Sequence, residues 1–253
     1  MSATDVKREE RREEIDVGRL LDRVEEQVRQ GKEVDLDAVS HLKPEDAKYL
    51  VSELEKRILR YSKWHELDSN SRKALIEVKA VALPSLADYV KEKLGVEMPL
   101  IAGRGWTDKV KEALEDIAVK SPEELRRGLG ERAIFYGPGP YGDDYVTAVV
   151  SWERFKEILR HVPATNLLDR QNDSPPFIDF VEAAASVPGS YLSVHVVGKS
   201  RNDERVTIDG IILPVGKDSG DVVQHLLRSA VEAPDDVMFI EDKGRQYVWL
   251  RWD

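Results

Sequence analysis

The sequence predicts an α+β protein: a helical N-terminal region followed by a mostly antiparallel sheet with helices packed on one face. Three observations predict it. Apolar residues recur at helical spacing through the first hundred residues, and from about residue 132 the period switches towards two. Only three of the 16 glycines and three of the 12 prolines lie before residue 100, so turns are concentrated in the second part. The joint is placed at "GVEMPLIAGRGW", residues 95–106. This gives a helical bundle region over 1–100, frayed over 1–14, and an α+β domain over 101–253.

The helices follow from their stripes and their ends. Val17, Leu20, Leu21, Val24 and Val28 fall on one face, and Gly31 stops that helix. Pro44 opens a second helix, with Ala47, Leu50, Val51, Leu54, Ile58 and Tyr61 inward. "DSNS" supplies capping oxygens for a third helix from about Arg72 to Leu94, closed by Gly95, and Pro84 is expected to kink or split it. Thr107 is expected to cap a fourth, with Val110, Ala113, Leu114 and Ile117 inward. Ser121-Pro122-Glu123-Glu124 reads as a capping box.

Beyond residue 132, "AIFY", "YVTAVVSW", "YLSVHVVG", "VTIDGIILPV", "DVMFI" and "QYVWLRW" read as strands. Helices are expected at "ERFKEILRHV", "PFIDFVEAAAS" and "GDVVQHLLRSAV". The resulting order is β-β-α-α-β-β-α-β-β. "VVGKSRNDERV" and "IEDKGRQYV" are hairpin turns, which makes the sheet largely antiparallel.

Bulk composition excludes several functions. Apolar residues make up 41 % and charged residues 34 %, the signature of a globular chain with a charge-rich surface. No apolar run is long enough for a membrane helix, and the N-terminus lacks the apolar core of a signal peptide. With no cysteine there is no disulfide, thiolate metal site or cysteine nucleophile, and a cytoplasmic location is the default expectation. The combination of no cysteine and dense charge is also found in proteins of thermophiles. The net charge of −10 divides as −3 over residues 1–100 and −7 over 101–253, which argues against a nucleic-acid binder.

"GPGPYG", residues 137–142, has the G-x-G-x-x-G spacing of a dinucleotide phosphate loop. That chemistry needs free amides and a following helix. Pro138 and Pro140 have no N–H, and Gly142 is followed by Asp143, Asp144 and a β-branched run. The stretch therefore reads as a turn between strands. Tyr141, Asp143 and Asp144 at its tip remain candidate binding residues, since loop tips carry function on rigid sheets.

The five histidines (His41, His65, His161, His195 and His225) show no metal-ligand spacing, and no metal or cofactor is expected. His195 and Ser193 alternate along one strand, too far apart for nucleophile activation. Arg60-Tyr61-Ser62-Lys63-Trp64-His65 carries the Arg-x-x-x-x-His spacing and resembles the HEPN ribonucleases, which are helical bundles. The resemblance covers six residues and places a tyrosine where that family commonly has a polar residue. It implies a catalytic pair, with His65 moving a proton and Arg60 stabilising phosphate charge. Tyr247, Trp249 and Arg251 share one face of the last strand and are candidate binding residues for a protein or for stacked bases.

With no clustered acid–base, metal or phosphate set, the sequence points to a non-enzymatic interaction or regulatory protein. Its partner is expected to be another protein or a second copy of itself. A ribonuclease using Arg60 and His65, and a nucleic-acid module using the C-terminal strand, are the rival expectations.

Overall fold

The computed structural model describes residues 15–60, 64–117, 136–139, 142–242 and 244–252. The chain divides into two compact units, residues 1–85 and 86–253. The division falls inside a helix, ten residues before the glycine- and proline-rich stretch at which the sequence placed the joint.

The first unit is helical. Helix α1 (Val17–Arg29) is capped by Asp16, whose carboxylate accepts from the Arg19 N–H, and its stripe of Leu20, Leu21, Val24 and Val28 is buried. A short helix α2 (Leu36–Ser40), absent from the sequence reading, is capped in the same way by Asp35. Helix α3 (Pro44–Leu59) starts at its proline and buries Ala47, Leu50, Val51, Leu54 and Ile58. It packs on α1, and Arg57 Nη1 reaches both Asp22 (2.9 Å) and Glu25 (3.1 Å) across the contact. The buried Glu55 is matched by Lys79 at 2.8 Å.

Helix α4 (Ser69–Leu94) runs through Pro84 as one element, so the proline does not split it. Pro84 is solvent-exposed, so water can take up the carbonyl that the missing N–H leaves behind. The unit boundary follows it, between Ser85 and Leu86. Gly95 then ends the helix with φ at +66°, a conformation that favours glycine.

The second unit holds helix α5 (Thr107–Ile117), strands β1 (Tyr136–Gly139) and β2 (Gly142–Ser151), and helices α6 (Trp152–Ile158) and α7 (Phe177–Ser186). Strands β3 (Tyr191–Val197) and β4 (Arg205–Pro214), helix α8 (Ser219–Ser229), and strands β5 (Asp236–Asp242) and β6 (Arg245–Arg251) complete it. The order from β1 onward is the predicted β-β-α-α-β-β-α-β-β. All pairings are antiparallel, in the sheet order β1-β2-β3-β4-β6-β5. Trp152, read as the end of a strand, instead opens α6. The Ser121 capping box, and residues 133–135 of the first expected strand, lie outside the described residues.

Alternation divides the sheet cleanly. Leu192, Val194 and Val196 of β3, with Val248 and Leu250 of β6, form the buried face on which the helices lie. Phe180 of α7 meets Trp252 edge-on there, and Phe155 of α6 packs on Phe177. Of strand β4, only residues 210–214 pair with β6. Below that segment the Asn166 amide takes over, donating to the Val206 carbonyl (2.6 Å) and accepting from the Val206 N–H (2.8 Å).

Helix α5 is capped differently from expectation. Thr107 does not supply the capping acceptor; its Oγ1 donates at 2.7 Å to Glu204, in the β3–β4 loop. The same carboxylate accepts from the N–H groups of Gly105 and Thr107. Burial would raise the Glu204 carboxyl, but these donors outweigh it and hold it below its ordinary value. An anion at a helix N-terminus also meets the positive end of the peptide dipoles.

Candidate functional site

The glycine motif forms a hairpin. Gly137 lies opposite Thr147, Pro138 opposite Val146 and Gly139 opposite Gly142, and strand β2 follows where a phosphate loop would need a helix. Pro138 sits on an edge strand, the place in a sheet where a missing N–H is tolerated. Tyr141 and the Asp143 side chain lie outside the described residues. Asp144 is committed to structure: its carboxylate binds Lys111 of α5 and accepts from the Ser200 N–H at 2.5 Å. Burial would push this carboxyl up, yet the Lys111 and Ser200 hydrogen bonds prevail and leave it at about 2. Gly198 makes room for the pair, since a Cβ there would overlap the Asp144 carboxylate and the Lys111 ammonium.

Arg60 caps the C-terminus of α3 and is exposed. Residues 61–63 and the His65 side chain lie outside the described residues, so nothing in the structure bears on that pair.

Tyr247, Trp249 and Arg251 do share one face, the one opposite the helices. The two rings are core there, 5 % and 4 % exposed, and packed with Val149, Ile212 and Ile240. Arg251 lies over the Trp249 ring, 6.0 Å from its centre. Trp249 in turn lies close over Gly210, where a Cβ would come within 2.9 Å of Nε1.

Arg251 belongs to a row of polar side chains that crosses five strands. Asp236 of β5 faces Arg251 of β6 at 3.6 Å, and Arg251 faces Asp209 of β4 at 3.6 Å. Asp209 meets His195 Nε2 of β3 at 2.8 Å, and His195 Nδ1 is hydrogen-bonded to the Tyr145 hydroxyl of β2. A bulge makes the central link. Ser193 pairs with Gly210 and Val194 with Ile208, so Asp209 is the extra residue and can turn towards His195. Ile208 and Ile211 meanwhile both stay in the core beneath the helices.

The row ends on the last strand of the sheet. Strand β5 is last in the sheet order, and among the described residues only β6 pairs with it. Val237 and Phe239 lie opposite Leu250 and Val248, on the helix-bearing face, yet they are 55 % and 78 % exposed. The helix layer therefore stops short of β5. Acidic residues 235, 236, 241 and 242 flank the two apolar side chains. An open cleft of about 570 Å³, lined by Pro188, Pro214, Val215, Glu241, Arg245 and Gln246, lies at the hairpin end of the strand.

Asp179 and Glu182 of α7 and His225 of α8 place three donor atoms within 4.8 Å of one another, a grouping capable of holding a metal ion. Sequence spacing did not show it because the donors come from two helices separated by two strands. No helix among the described residues is long and apolar enough to cross a membrane. Comparison of the chain with protein-family models, curated proteins and solved structures found no match.

Proposed function

We propose that this protein works by contact, holding an extended, basic segment of another protein along the edge of β5. The observation that carries the reading is the exposure of Val237 and Phe239 on an edge strand. Soluble domains normally blunt such an edge, because its backbone groups template further pairing. A strand laid against β5 would gain main-chain hydrogen bonds and cover both side chains. Asp235 and Glu241, which alternate onto the face of Val237 and Phe239, select the charge of the partner: lysines or arginines at both ends of an apolar stretch.

The acidic flanks disfavour a second copy. Antiparallel self-pairing centred on Phe239 would set Asp236 against Asp242 at each end, and like charges directly opposite destabilise a pair. A regulatory role in the cytoplasm, through a hetero-partner, fits the cysteine-free acidic chain better than a homodimer does.

Binding of a fluorescent peptide alternating valine with lysine tests the reading by anisotropy. Saturable binding that falls with salt, and weakens about tenfold or more in Phe239→Asp, is expected. No binding, or equal binding by Phe239→Asp, overturns it. So does concentration-dependent dimerisation through β5 in sedimentation experiments.

A further inference from the structure

We infer that Asp179, Glu182 and His225 form a site for a divalent first-row transition ion, with zinc the ion that fits the donor set. This goes beyond the proposed strand-docking edge and uses none of its residues.

The local sequence builds the site. Asp179 and Glu182 are three apart on α7 and so share one face of that helix. Helix α8 packs on α7 and brings His225 over the same face. The site has a closed floor and an open side: Asp179 is 1 % exposed and His225 is 46 % exposed. Two carboxylates and one imidazole are the mixed oxygen and nitrogen donors that suit zinc and its neighbours; magnesium and calcium prefer oxygen alone.

The donors are close enough to converge on one ion by side-chain movement. Zinc bonds of about 2.0–2.2 Å set tetrahedral donors about 3.4 Å apart. His225 Nε2 is 3.9 Å from Asp179 Oδ1 and all three donor atoms lie within 4.8 Å of one another, so the exposed imidazole and the Glu182 carboxylate close on the ion by up to roughly an ångström. Glu182 also has an outer support, the Tyr89 hydroxyl donating to its Oε1. Such a bond fixes the orientation of a ligating carboxylate. Three protein ligands leave a fourth tetrahedral position open to water on the His225 side, the pattern of a reactive or ligand-accepting ion.

The test is calorimetric titration of untagged, chelator-treated full-length protein with zinc chloride, paired with the visible absorption of bound cobalt(II). One equivalent per chain is expected. His225→Ala and Glu182→Gln should abolish it with the far-ultraviolet circular dichroism unchanged, because both side chains reach solvent. Tyr89→Phe should weaken it by about 10–100-fold. His41→Ala, in the other unit, should leave it intact. Absence of stoichiometric binding, unchanged binding by His225→Ala, or loss in His41→Ala would each overturn the assignment. None of these outcomes touches peptide binding at β5, so the two ideas stand or fall separately.

Discussion

Replacing Asp209 by alanine removes the hub of the polar row. The aspartate is buried, with His195 Nε2 at 2.8 Å on one side and the Arg251 guanidinium at 3.6 Å on the other. Breaking a buried pair from one side costs roughly 3–5 kcal/mol, because the remaining charge loses its partner without regaining water. The side chains of His195 and Arg251 are 15 % and 17 % exposed, which restores part of their hydration and sets the expectation at the low end, about 3 kcal/mol. For a unit of this size that corresponds to a fall in Tm of about 6–12 °C. Urea unfolding followed by tryptophan fluorescence reads it directly, since Trp106, Trp152, Trp249 and Trp252 all lie in the second unit and only Trp64 in the first. The double variant Asp209→Ala with Arg251→Met should lose less than the two single variants together. A loss below about 1 kcal/mol, or simple additivity, would show that the row does not brace the sheet.

Three further outcomes follow from the packing. Gly210→Ala should destabilise by about 1–3 kcal/mol in the same urea assay, since its Cβ would press within 2.8 Å of the Leu250 carbonyl oxygen, a backbone atom with little freedom to yield. Phe239→Asp should unfold within about 0.5 kcal/mol of the parent, because that side chain is mostly in water; a larger loss would mean that the ring is part of the core. The Asp144 carboxyl, held at about 2 against an ordinary 3.8, favours the folded state at neutral pH. A depressed folded value means this contribution is complete above the unfolded value and is lost as pH falls from about 4 through 2. Acid titration of Lys111→Met should show a shallower loss over that window; an unchanged profile would remove Asp144 as its source.

Much of the architecture was legible because burial writes a period into the chain. The stripes of α1 and α3 and the alternation of β3 and β6 each located their element. Helix α2, five residues long, is too short to show a period. Whether Pro84 would split its helix was not legible, because its cost depends on exposure, which sequence does not display. The cap of α5 was misassigned because its acceptor, Glu204, arrives from a loop nearly a hundred residues away. The polar row did leave a trace. Apolar positions 206 and 208 are followed by 211 and 213, and that change of parity at Asp209-Gly210 marks the bulge. Its partners Tyr145 and His195 sit in other strands, so only the register brings the five residues together. The exposure of Val237 and Phe239 was hidden for a related reason: "DVMFI" reads as an ordinary buried strand until its place at the sheet edge is known.

Amide hydrogen exchange with and without the valine–lysine peptide tests the central claim most directly. Slowed exchange confined to Asp236–Asp242, absent when Phe239→Asp is used, is the result that strand docking at β5 predicts. Unchanged exchange along β5 at saturating peptide, or protection that appears at β1 or on the helices and leaves β5 as it was, would contradict it.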